Sequence, residues 1–449
     1  MRPNRRQFLA SATAAAVLPA CADDPLDDSG GPTAAPSRDP EPAPWDAPGR
    51  WDEASFAWGV RIGDATSDTA LVACRSAEPA LTLVLMRADG DEWVQERRFH
   101  CPAPINGVTQ VGLVNLAADA AYSLAFYAAD GERRSEVARF RSALGPGGYR
   151  VLRFGATSCL GSENPDWESL NHAAAEAFDF FLLLGDTVYA DGAYTVEEYR
   201  AYWERAFATP SLRSLSNSTS LVATWDDHEV GNNWILGETV TVEQVENATL
   251  AFREDVPMQV GPGGSGLWRT LRWGEVLQLF VLDCRGERDV DQIVSPEQLL
   301  WLVDALAIST ARFKVVLSSV HFTDHSALFG TLFDEDRWQG YPAQRQVALE
   351  AALATPGVVF VTGDLHYGGL ATVSPPGVDG DDLYEVAAGP SGSFINPIAE
   401  LFQGDRAQYP VLLGTWSYCL FEADPGTGTL RVAFVDDQGT ILADETLTL

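Results

Sequence analysis

Residues 178–189 read FDFFLLLGDTVY, an almost continuously apolar run with a polar ending. A run that stays apolar over residues 178–184 is typical of a strand buried on both faces of a parallel sheet. Asp186 and Tyr189 follow at the point where this strand ends. In open α/β sheets, binding and catalytic groups lie beyond the carboxyl ends of the strands. The stretch therefore predicts an α/β domain with a functional site at that edge of its sheet.

Four further apolar runs end in the same way. They are predicted to be buried strands and cover residues 151–156, 221–224, 313–318 and 358–361. The side chains that follow them are of types that bind metals or transfer protons, namely Cys159, Asp226, Asp227, His228, Glu229, His321, His325, Asp364 and His366. Because the carboxyl ends of parallel strands meet at one edge of a sheet, this pattern predicts a metal centre assembled from several loops.

The preceding part of the chain has a different pattern. Residues 51–145 contain short β-branched and aromatic runs separated by turn signals such as Asp89-Gly90 and Asp130-Gly131. This pattern predicts an antiparallel β-sandwich. Over residues 146–449 strands alternate with helical stretches, including 164–177 and the segment that Ser295-Pro296 opens, so this part is assigned to the α/β domain.

The first 21 residues, MRPNRRQFLASATAAAVLPAC, have the composition of an export signal. The pair Arg5-Arg6 precedes an apolar run too short to span a bilayer, and it resembles a twin-arginine signal. Leu18–Cys21 resembles a lipoprotein cleavage site with Cys21 as the lipidated residue; the alternative is an ordinary signal with a chance cysteine. Residues 22–50, rich in proline and acids, are predicted to be an extended linker. We therefore expect a periplasmic or cell-surface lipoprotein, held at the membrane by its lipid alone.

The charge of the chain limits its partners. The 449 residues include 63 Asp and Glu against 30 Lys and Arg, for a formal net charge of -33, and Lys314 is the single lysine. A strongly anionic surface repels duplex nucleic acid. The lack of lysine also disfavours covalent chemistry at an amine. Any phosphate must therefore be bound by arginines, backbone amides or metal ions.

Three motifs carry a resemblance to a known family. They are Gly185-Asp186-x-x-Tyr189, Asp226-Asp227-His228-Glu229 and Gly363-Asp364-x-His366. Their order resembles the calcineurin-like metallophosphatases, in particular the PhoD-like (alkaline phosphatase D) branch, over about residues 55–449. The Asp-x-His motif of the wider superfamily is replaced by Ser158-Cys159, as in that branch. The resemblance implies a four-layer metallophosphatase sandwich preceded by a fibronectin-like or Ig-like β-sandwich.

The resemblance also implies a set of metal ligands. Fe³⁺ would be bound by Cys159, Asp186, Tyr189 and His366. Asp186 would bridge to a second ion, Ca²⁺, which Asp227 and Asp364 would also bind. His321 is either a further ligand of the second ion or a loop residue. Because an imidazole ligand favours transition metals, His321 leaves the identity of that ion open between Ca²⁺ and a transition metal.

The same resemblance assigns His228 to catalysis, whereas Arg285 and Arg288 are candidates because they lie just beyond a strand end. His228 is expected to act as the general acid for the leaving alkoxide, with Asp226 or Glu229 orienting it. Arg285 and Arg288 are expected either to bind the phosphate or to form structural salt bridges. Two disulfides are possible, one between Cys74 and Cys101 and one between Cys284 and Cys419, and the sequence does not establish either.

The function implied is that of an exported, metal-dependent phosphoesterase. It would hydrolyse small phosphodiesters, phosphomonoesters or both through a hydroxide activated at the Fe/Ca-type centre. One alternative is a phosphomonoesterase resembling the purple acid phosphatases. Another is a non-catalytic, metal-binding surface lipoprotein. Redox use of the iron is a third, and it is disfavoured because it would leave His228 without a role.

Overall fold

Two mixed β-sheets lie face to face at the centre of the fold, and helices cover both outer faces. The computed structural model describes residues 34–262, 267–325, 336–397 and 406–449. The export signal predicted over residues 1–21 and the first part of the predicted linker lie outside these ranges. Residues Ala34–Leu449 form one compact unit.

The described strands are β1 (Arg50–Trp51), β2 (Val60–Gly63), β3 (Thr69–Arg75), β4 (Thr82–Asp89), β5 (Glu92–His100), β6 (Val108–Val114), β7 (Ala121–Tyr127), β8 (Arg133–Arg134), β9 (Ala138–Arg141), β10 (Leu152–Thr157), β11 (Phe180–Leu184), β12 (Leu221–Thr224), β13 (Arg269–Trp273), β14 (Leu277–Val281), β15 (Phe313–Leu317), β16 (Val358–Thr362), β17 (Gly368–Thr372), β18 (Tyr384–Ala387), β19 (Val411–Leu413), β20 (Ser417–Asp424), β21 (Thr429–Asp436) and β22 (Ile441–Thr448). The described helices are α1 (Ser169–Ala175), α2 (Val196–Ala208), α3 (Pro210–Ser218), α4 (Val242–Asp255), α5 (Pro296–Ile308) and α6 (Pro342–Leu353). A short 3-10 helix covers Trp338–Gly340.

Three sheets are formed by these strands. The first large sheet has the order β22-β21-β20-β10-β11-β12-β2-β3-β6, and the second has the order β13-β14-β15-β16-β18-β17-β19. The third sheet has the order β1-β8-β7-β4-β5, with β9 paired to β7. The central strands β10, β11 and β12 run parallel, as do β14, β15 and β16. Their carboxyl ends are therefore the places where the predicted site residues emerge.

The core between the two large sheets is built largely from aromatic and aliphatic side chains. Phe154 stacks on Phe180 and on Phe421 at ring-centroid distances of 4.8 and 4.6 Å, and Phe180 stacks on Trp273 at 4.0 Å. Helices α1 to α4 pack on the outer face of the first large sheet, and α5 and α6 pack on the outer face of the second. The order helix, sheet, sheet, helix is the predicted four-layer arrangement.

Local sequence signals explain most helix starts. Thr195 and Glu198 form a capping box at α2, and Ser295 caps α5 with Pro296 at its first position, as predicted. The helix predicted over 164–177 is shorter and begins at Ser169. The reason is a turn before it, because the Asn164 amide donates to the Gly392 carbonyl at 2.9 Å and Trp167 has a left-handed φ of 45°.

The N-terminal strands are joined directly to the first large sheet. Strand β2 pairs with β12 through Gly63 and Leu221, so β2, β3 and β6 extend that sheet. On their other side, they share an apolar core with the third sheet. A Cβ at Gly63 would lie 1.7 Å from the Pro257 carbonyl oxygen, so only glycine fits this junction.

Buried ion pairs reinforce the junction. Arg61 contacts Asp255 at 2.9 Å, and Arg75 contacts the same carboxylate at 2.7 Å. Arg269 contacts Asp64 at 2.6 Å. All five side chains are almost completely buried. The N-terminal layer is therefore held to the α/β part by desolvated charges as well as by backbone pairing.

The described end of the predicted linker runs along the folded body without regular structure. The Pro36 carbonyl accepts from the Val151 amide at 2.9 Å, and the Ala43 carbonyl accepts from Trp93 Nε1 at 2.7 Å. The five cysteines in the described ranges are free thiols, so neither disulfide considered above is formed there. No helix in the described part of the chain combines the length and apolar character needed to cross a bilayer.

Candidate metal centre

The loops after four buried strands meet at one place and bring three groups of candidate metal ligands together. The first group consists of Cys159, Asp186 and His366, whose ligand atoms lie within 4.8 Å of one another. The second consists of Asp186, Asp227 and His228, and the third of Asp226, Asp227 and Asp364. Asp186 belongs to the first two groups and Asp227 to the last two, so the three form one continuous cluster.

Tyr189 completes the first group. Its hydroxyl oxygen lies 3.3 Å from Asp186 Oδ2 and 3.2 Å from His366 Nε2. The Ser393 hydroxyl, which the sequence reasoning did not single out, lies 2.7 Å from the same oxygen. The four residues expected to bind iron are thus brought together by loops that follow three different strands.

The backbone at these ligands adopts an uncommon conformation. Cys159, Asp186, Asp364 and His366 all have left-handed φ values, of 57°, 53°, 69° and 56°. Such values are rare for residues other than glycine, and they concentrate at functional sites. Gly185 has a φ of 97°, and a Cβ there would lie 2.5 Å from the Cβ of Asp226. The strained turns let the ligand loops approach one another closely.

The third group is rich in oxygen ligands. Asp227 Oδ1 is buried without a hydrogen-bond partner among the described residues, and the nearest Arg285 nitrogen is 3.7 Å away. The Asn233 amide lies against both Asp227 and Asp336, with its nitrogen 3.1 Å from Asp227 Oδ2 and 2.6 Å from Asp336 Oδ2 when it is oriented to donate. Asn233 follows the strand at 221–224 in the sequence but was assigned no role there, and Asp336 was not predicted because it does not directly follow a strand.

The electrostatics of the cluster fit bound cations. Burial and neighbouring carboxylates raise the pKa of Asp186 and of Asp364 well above the ordinary range. Burial likewise raises the pKa of the Cys159 thiol and of the Tyr189 phenol. Burial lowers the pKa of His366 to about 4, so the imidazole is neutral at pH 7. Cations would offset the repulsion between the buried acids and stabilise the thiolate and phenolate as ligands.

The donor types separate into two chemical environments. Thiolate, phenolate, carboxylate and imidazole donors on one side suit a transition-metal ion such as Fe³⁺. Carboxylate oxygens on the other side suit a hard cation such as Ca²⁺. The residues present therefore fit two different ions, and Asp186 belongs to two of the three groups.

Arg285 does not occupy the position expected of a phosphate-binding residue. Its side chain is completely buried, pairs with Asp226 at 2.5 Å and contacts Asp336. It also lies 3.6 Å from Asp364 Oδ1. Of the two roles considered from the sequence, the structure favours the salt bridge, because no face of this guanidinium reaches solvent. Arg288 pairs with Asp336 at 2.6 Å in the same buried network.

His228 is partly exposed at the edge of the cluster, and its orientation is set by a residue that the sequence reasoning missed. Asp191 Oδ2 lies 2.7 Å from His228 Nδ1. The expected partners have other contacts: Asp226 pairs with Arg285, and Glu229 accepts the backbone amides of Asp186, Thr187 and Asp226 at 3.0, 2.7 and 2.8 Å. Glu229 therefore fixes the backbone of the ligand loops and does not orient His228.

The protonation state of His228 follows from its neighbours. Burial disfavours the imidazolium, but the Asp191 hydrogen bond and the charges of Asp186 and Asp227 outweigh burial and raise the pKa to about 10. The ring is therefore protonated at neutral pH. A protonated imidazole next to a phosphate site is able to donate a proton to a leaving oxygen.

His321 and His325 do not belong to the three groups of candidate metal ligands. His321 Nδ1 is 2.6 Å from Glu385 Oε1, and both side chains are buried. Glu385 also accepts the backbone amides of Phe322 and Thr323. His325 Nδ1 lies 2.9 Å from the Tyr409 hydroxyl. The expectation that His321 is a ligand of the second ion stays a prediction. Glu385 holds Nδ1, and the buried Nε2 atom has no hydrogen-bond partner among the described residues.

Comparison with known proteins identifies the family of this chain. The sequence model of the PhoD-like phosphatases matches residues 154–406, which include every ligand of the three groups. The chain belongs to the PhoD-like phosphatase family. The resemblance stated from the sequence is thereby confirmed.

A curated relative agrees with this assignment. The PhoD-like chain is 27% identical over 291 residues to alkaline phosphatase D of Bacillus subtilis (strain 168). The alignment covers 53% of this chain and 49% of that protein, so the chain spans about half the length of the relative it matches.

Solved structures support the fold of the PhoD-like chain. The structure of PhoD matches with a TM-score of 0.76 at 21% identity and covers 90% of both chains. The purple acid phosphatase from yellow lupin seeds matches with a TM-score of 0.64 at 13% identity, covering 88% of this chain and 74% of that one. At these identities the matches show the metallophosphatase fold.

Proposed function

We propose that the chain is a metal-dependent phosphoesterase that hydrolyses phosphodiesters, phosphomonoesters or both. The observation that carries this proposal is the convergence of Cys159, Asp186, Tyr189 and His366 beside the carboxylates of Asp227 and Asp364. Membership of the PhoD-like family supports the same activity. The partially exposed His228 at the edge of the cluster supplies a proton donor, which a purely structural metal site does not need.

Two ions are proposed for the two environments. Fe³⁺ would be held by Cys159, Asp186, Tyr189 and His366, and Ca²⁺ by Asp227 and Asp364 with the shared Asp186. When bound, such a pair supplies a nucleophile from water and neutralises charge on the phosphoryl oxygens. The positive charge for phosphate binding would thus come from the ions, because the neighbouring Arg285 is already engaged by buried carboxylates.

The residues of the chain would do the remaining work. His228 would donate a proton from Nε2 to the leaving oxygen, since Nδ1 is occupied by Asp191. Asp191 would hold the ring in position and keep it protonated. Glu229, through its three amide contacts, would keep the Asp186 loop and the Asp226 loop at a fixed separation.

The substrate would be a small phosphate ester. The net charge of -33 disfavours duplex nucleic acid as a partner, since long-range repulsion opposes its approach.

Export through the Arg5-Arg6 signal and a lipid at Cys21 would place the enzyme in the periplasm or at the cell surface. Replacement of Cys21 by serine should then release the protein from the membrane fraction. The strands within residues 50–141 are proposed to represent the fibronectin-like domain of the family.

The proposal is tested by metal analysis and visible absorption on protein folded before export. We expect iron with a charge-transfer band that Tyr189→Phe weakens or removes, together with hydrolysis of bis(p-nitrophenyl) phosphate. A colourless, iron-free protein that still hydrolyses the diester would overturn the Fe–Cys–Tyr assignment. Activity that survives Asp186→Ala would overturn the whole site.

The second candidate function is that of a phosphomonoesterase like the purple acid phosphatases, and the fold match to the lupin enzyme supports it. It predicts an acid pH optimum and a preference for p-nitrophenyl phosphate over the bis ester. Hydrolysis rates of both esters, measured from pH 4 to pH 10 at intervals of about one pH unit, would distinguish the two candidate functions. Bound metal without turnover of either ester would instead indicate a non-catalytic surface protein.

A further inference from the structure

Phe394 is a large apolar side chain left in solvent beside the metal centre. Its ring is 53% exposed. The same ring packs edge-on against His366, with a centroid distance of 4.4 Å and an interplanar angle of 81°. The same imidazole carries the Nε2 atom that faces Tyr189 and Asp186. Covering this ring with an apolar group of a ligand would be favourable, because it removes apolar surface from water.

The backbone on both sides of Phe394 is fixed by the ligand loops themselves. The Ser393 amide donates to the Cys159 carbonyl at 2.9 Å, and its carbonyl accepts from Trp416 Nε1 at 2.7 Å. On the other side, the Asn396 amide donates to the His366 carbonyl at 3.0 Å. The segment that carries the exposed ring is thus held in place before any ligand binds, which lowers the entropy cost of a contact.

Phe394 continues a row of rings along the site. The His366 imidazole contacts Phe394, its Nε2 lies 3.2 Å from the Tyr189 hydroxyl, and the Tyr189 ring lies 4.1 Å from the His228 ring. His228 and Phe394 therefore lie at the two ends of a row of rings that runs past the proposed iron ligands Tyr189 and His366. His228 carries the polar function, and Phe394 offers only apolar surface.

We propose that Phe394 forms an aromatic subsite that contacts a planar aromatic group of the phosphate ester. The inference rests on the proposed phosphoesterase function and specifies its substrate class as esters with an aryl or heteroaryl group next to the phosphate. Edge-to-face and offset-stacked geometries allow such a group to pack on Phe394 while its phosphate occupies the metal centre. An alkyl phosphate ester of the same charge would lack this ring contact.

Equilibrium binding tests the subsite without requiring turnover. Phenylphosphonate and methylphosphonate are titrated calorimetrically into the metal-loaded full chain. We expect the phenyl compound to bind about tenfold more tightly, and Phe394→Ala to bring the two affinities within about twofold of each other. Phe394→Trp should keep the preference. The control is Tyr149→Ala, which removes a similarly exposed aromatic ring. Tyr149 precedes β10 and lies at the opposite end of that strand from Cys159, so its removal should leave the preference for the phenyl compound unchanged.

Kinetics separates failure of the subsite from failure of the proposed function. For bis(p-nitrophenyl) phosphate, Phe394→Ala should raise KM about tenfold and change kcat less than about twofold. Methyl p-nitrophenyl phosphate should be affected little, because its one aryl group is the leaving group next to His228 and its methyl group would face Phe394. Hydrolysis of both esters with an aryl preference unaltered in Phe394→Ala would overturn the subsite alone. Phosphonate binding that depends on Phe394, without hydrolysis of any ester, would overturn the phosphoesterase proposal and retain the subsite.

Discussion

Asp191 Oδ2 lies 2.7 Å from Nδ1 of His228, and this contact joins the loop after β11 to the loop after β12. The other oxygen of Asp191 accepts the Asn232 amide at 2.6 Å. The carboxylate is thus held by the same loop whose histidine it orients. Its proximity to His228 explains why the pKa of that ring is raised despite burial.

Replacement of Asp191 by asparagine should lower activity in a way that depends on the leaving group. An amide holds the ring less firmly and does not stabilise its charge, so kcat should fall about ten- to a hundredfold for alkyl esters. Aryl esters with acidic leaving groups need less protonation and should be affected less. Steady-state rates over a series of leaving groups measure the difference, and an equal loss for all of them would contradict the proton-donor role of His228.

The pH profile of the same variant gives an independent test. Asp191 favours the protonated form of His228, so activity that requires the protonated ring should be lost at the alkaline end of the pH profile. Without the negative charge of Asp191 the pKa falls, so the alkaline limb of Asp191→Asn should begin at lower pH. An unshifted limb would show that another group controls it.

Replacement of Arg285 by methionine should destabilise the fold and weaken the second metal site. The guanidinium is buried among Asp226, Asp336, Asp227 and Asp364, and its loss leaves their charges uncompensated. Removal of one partner from a buried ion pair costs about 3–5 kcal/mol. Denaturant unfolding and calcium content measure both effects.

The visible band of the iron site provides the internal control for that variant. No contact in the described ranges joins Arg285 to Cys159 or Tyr189, so the charge-transfer absorption of folded Arg285→Met should be retained. Arg285→Lys should recover part of the calcium binding, because it restores a hydrogen-bond donor that positions Asp226, although without the planar fork. Loss of the band with calcium binding intact would refute the positioning role of Arg285.

Metal removal should destabilise the protein more at high pH than at low pH. In the metal-free cluster the pKa values of Asp186 and Asp364 are raised, so the unfolded chain releases their protons before the folded chain does. Stability of the metal-free protein should therefore fall as pH rises above the ordinary aspartate range, and should keep falling up to the raised folded pKa values. The Tm difference between metal-loaded and chelated protein should accordingly widen between about pH 5 and 8, and a constant difference would contradict the buried-carboxylate explanation.

Replacement of Asp255 by asparagine should loosen the N-terminal layer. This carboxylate pairs with both Arg61 and Arg75, and all three side chains are buried. The free energy of unfolding should fall by about 3–5 kcal/mol. The control is Asp444→Asn, which breaks a solvent-exposed pair with Arg431 and should cost less than about 1 kcal/mol. Equal effects of the two changes would contradict the role of desolvation.

The predictable part of the site followed from local sequence pattern. Apolar runs identified the central strands, and polar residues directly after them identified Cys159, Asp186, Asp227, Asp364 and His366. These residues do converge in the structure. The reason is geometric, because residues at the carboxyl ends of adjacent parallel strands emerge at one edge of a sheet. The sequence pattern predicted a single sheet, whereas Cys159, Asp186 and Asp227 follow strands of the first large sheet and Asp364 and His366 follow β16 of the second.

The less predictable part depends on contacts between distant segments. Asp191, Asn233 and Asp336 lie within loops whose paths no periodicity specifies. The role of Arg285 follows from burial beside Asp226, a residue 59 positions away, and the placement of His321 follows from Glu385 on β18. Residue type alone did not distinguish a phosphate-binding arginine from a buried one.

The α/β pattern, the strand-end ligands and the family motifs were predictable, because each depends on spacing along the chain. Packing between distant segments sets which carboxylate orients His228, pairs Arg285 with carboxylates instead of the substrate, and joins β2 to the first large sheet at Gly63. These outcomes depend on which side chains become buried together. Burial changes the cost of a charge by several kcal/mol, and it is a property of the packed fold and not of any single segment.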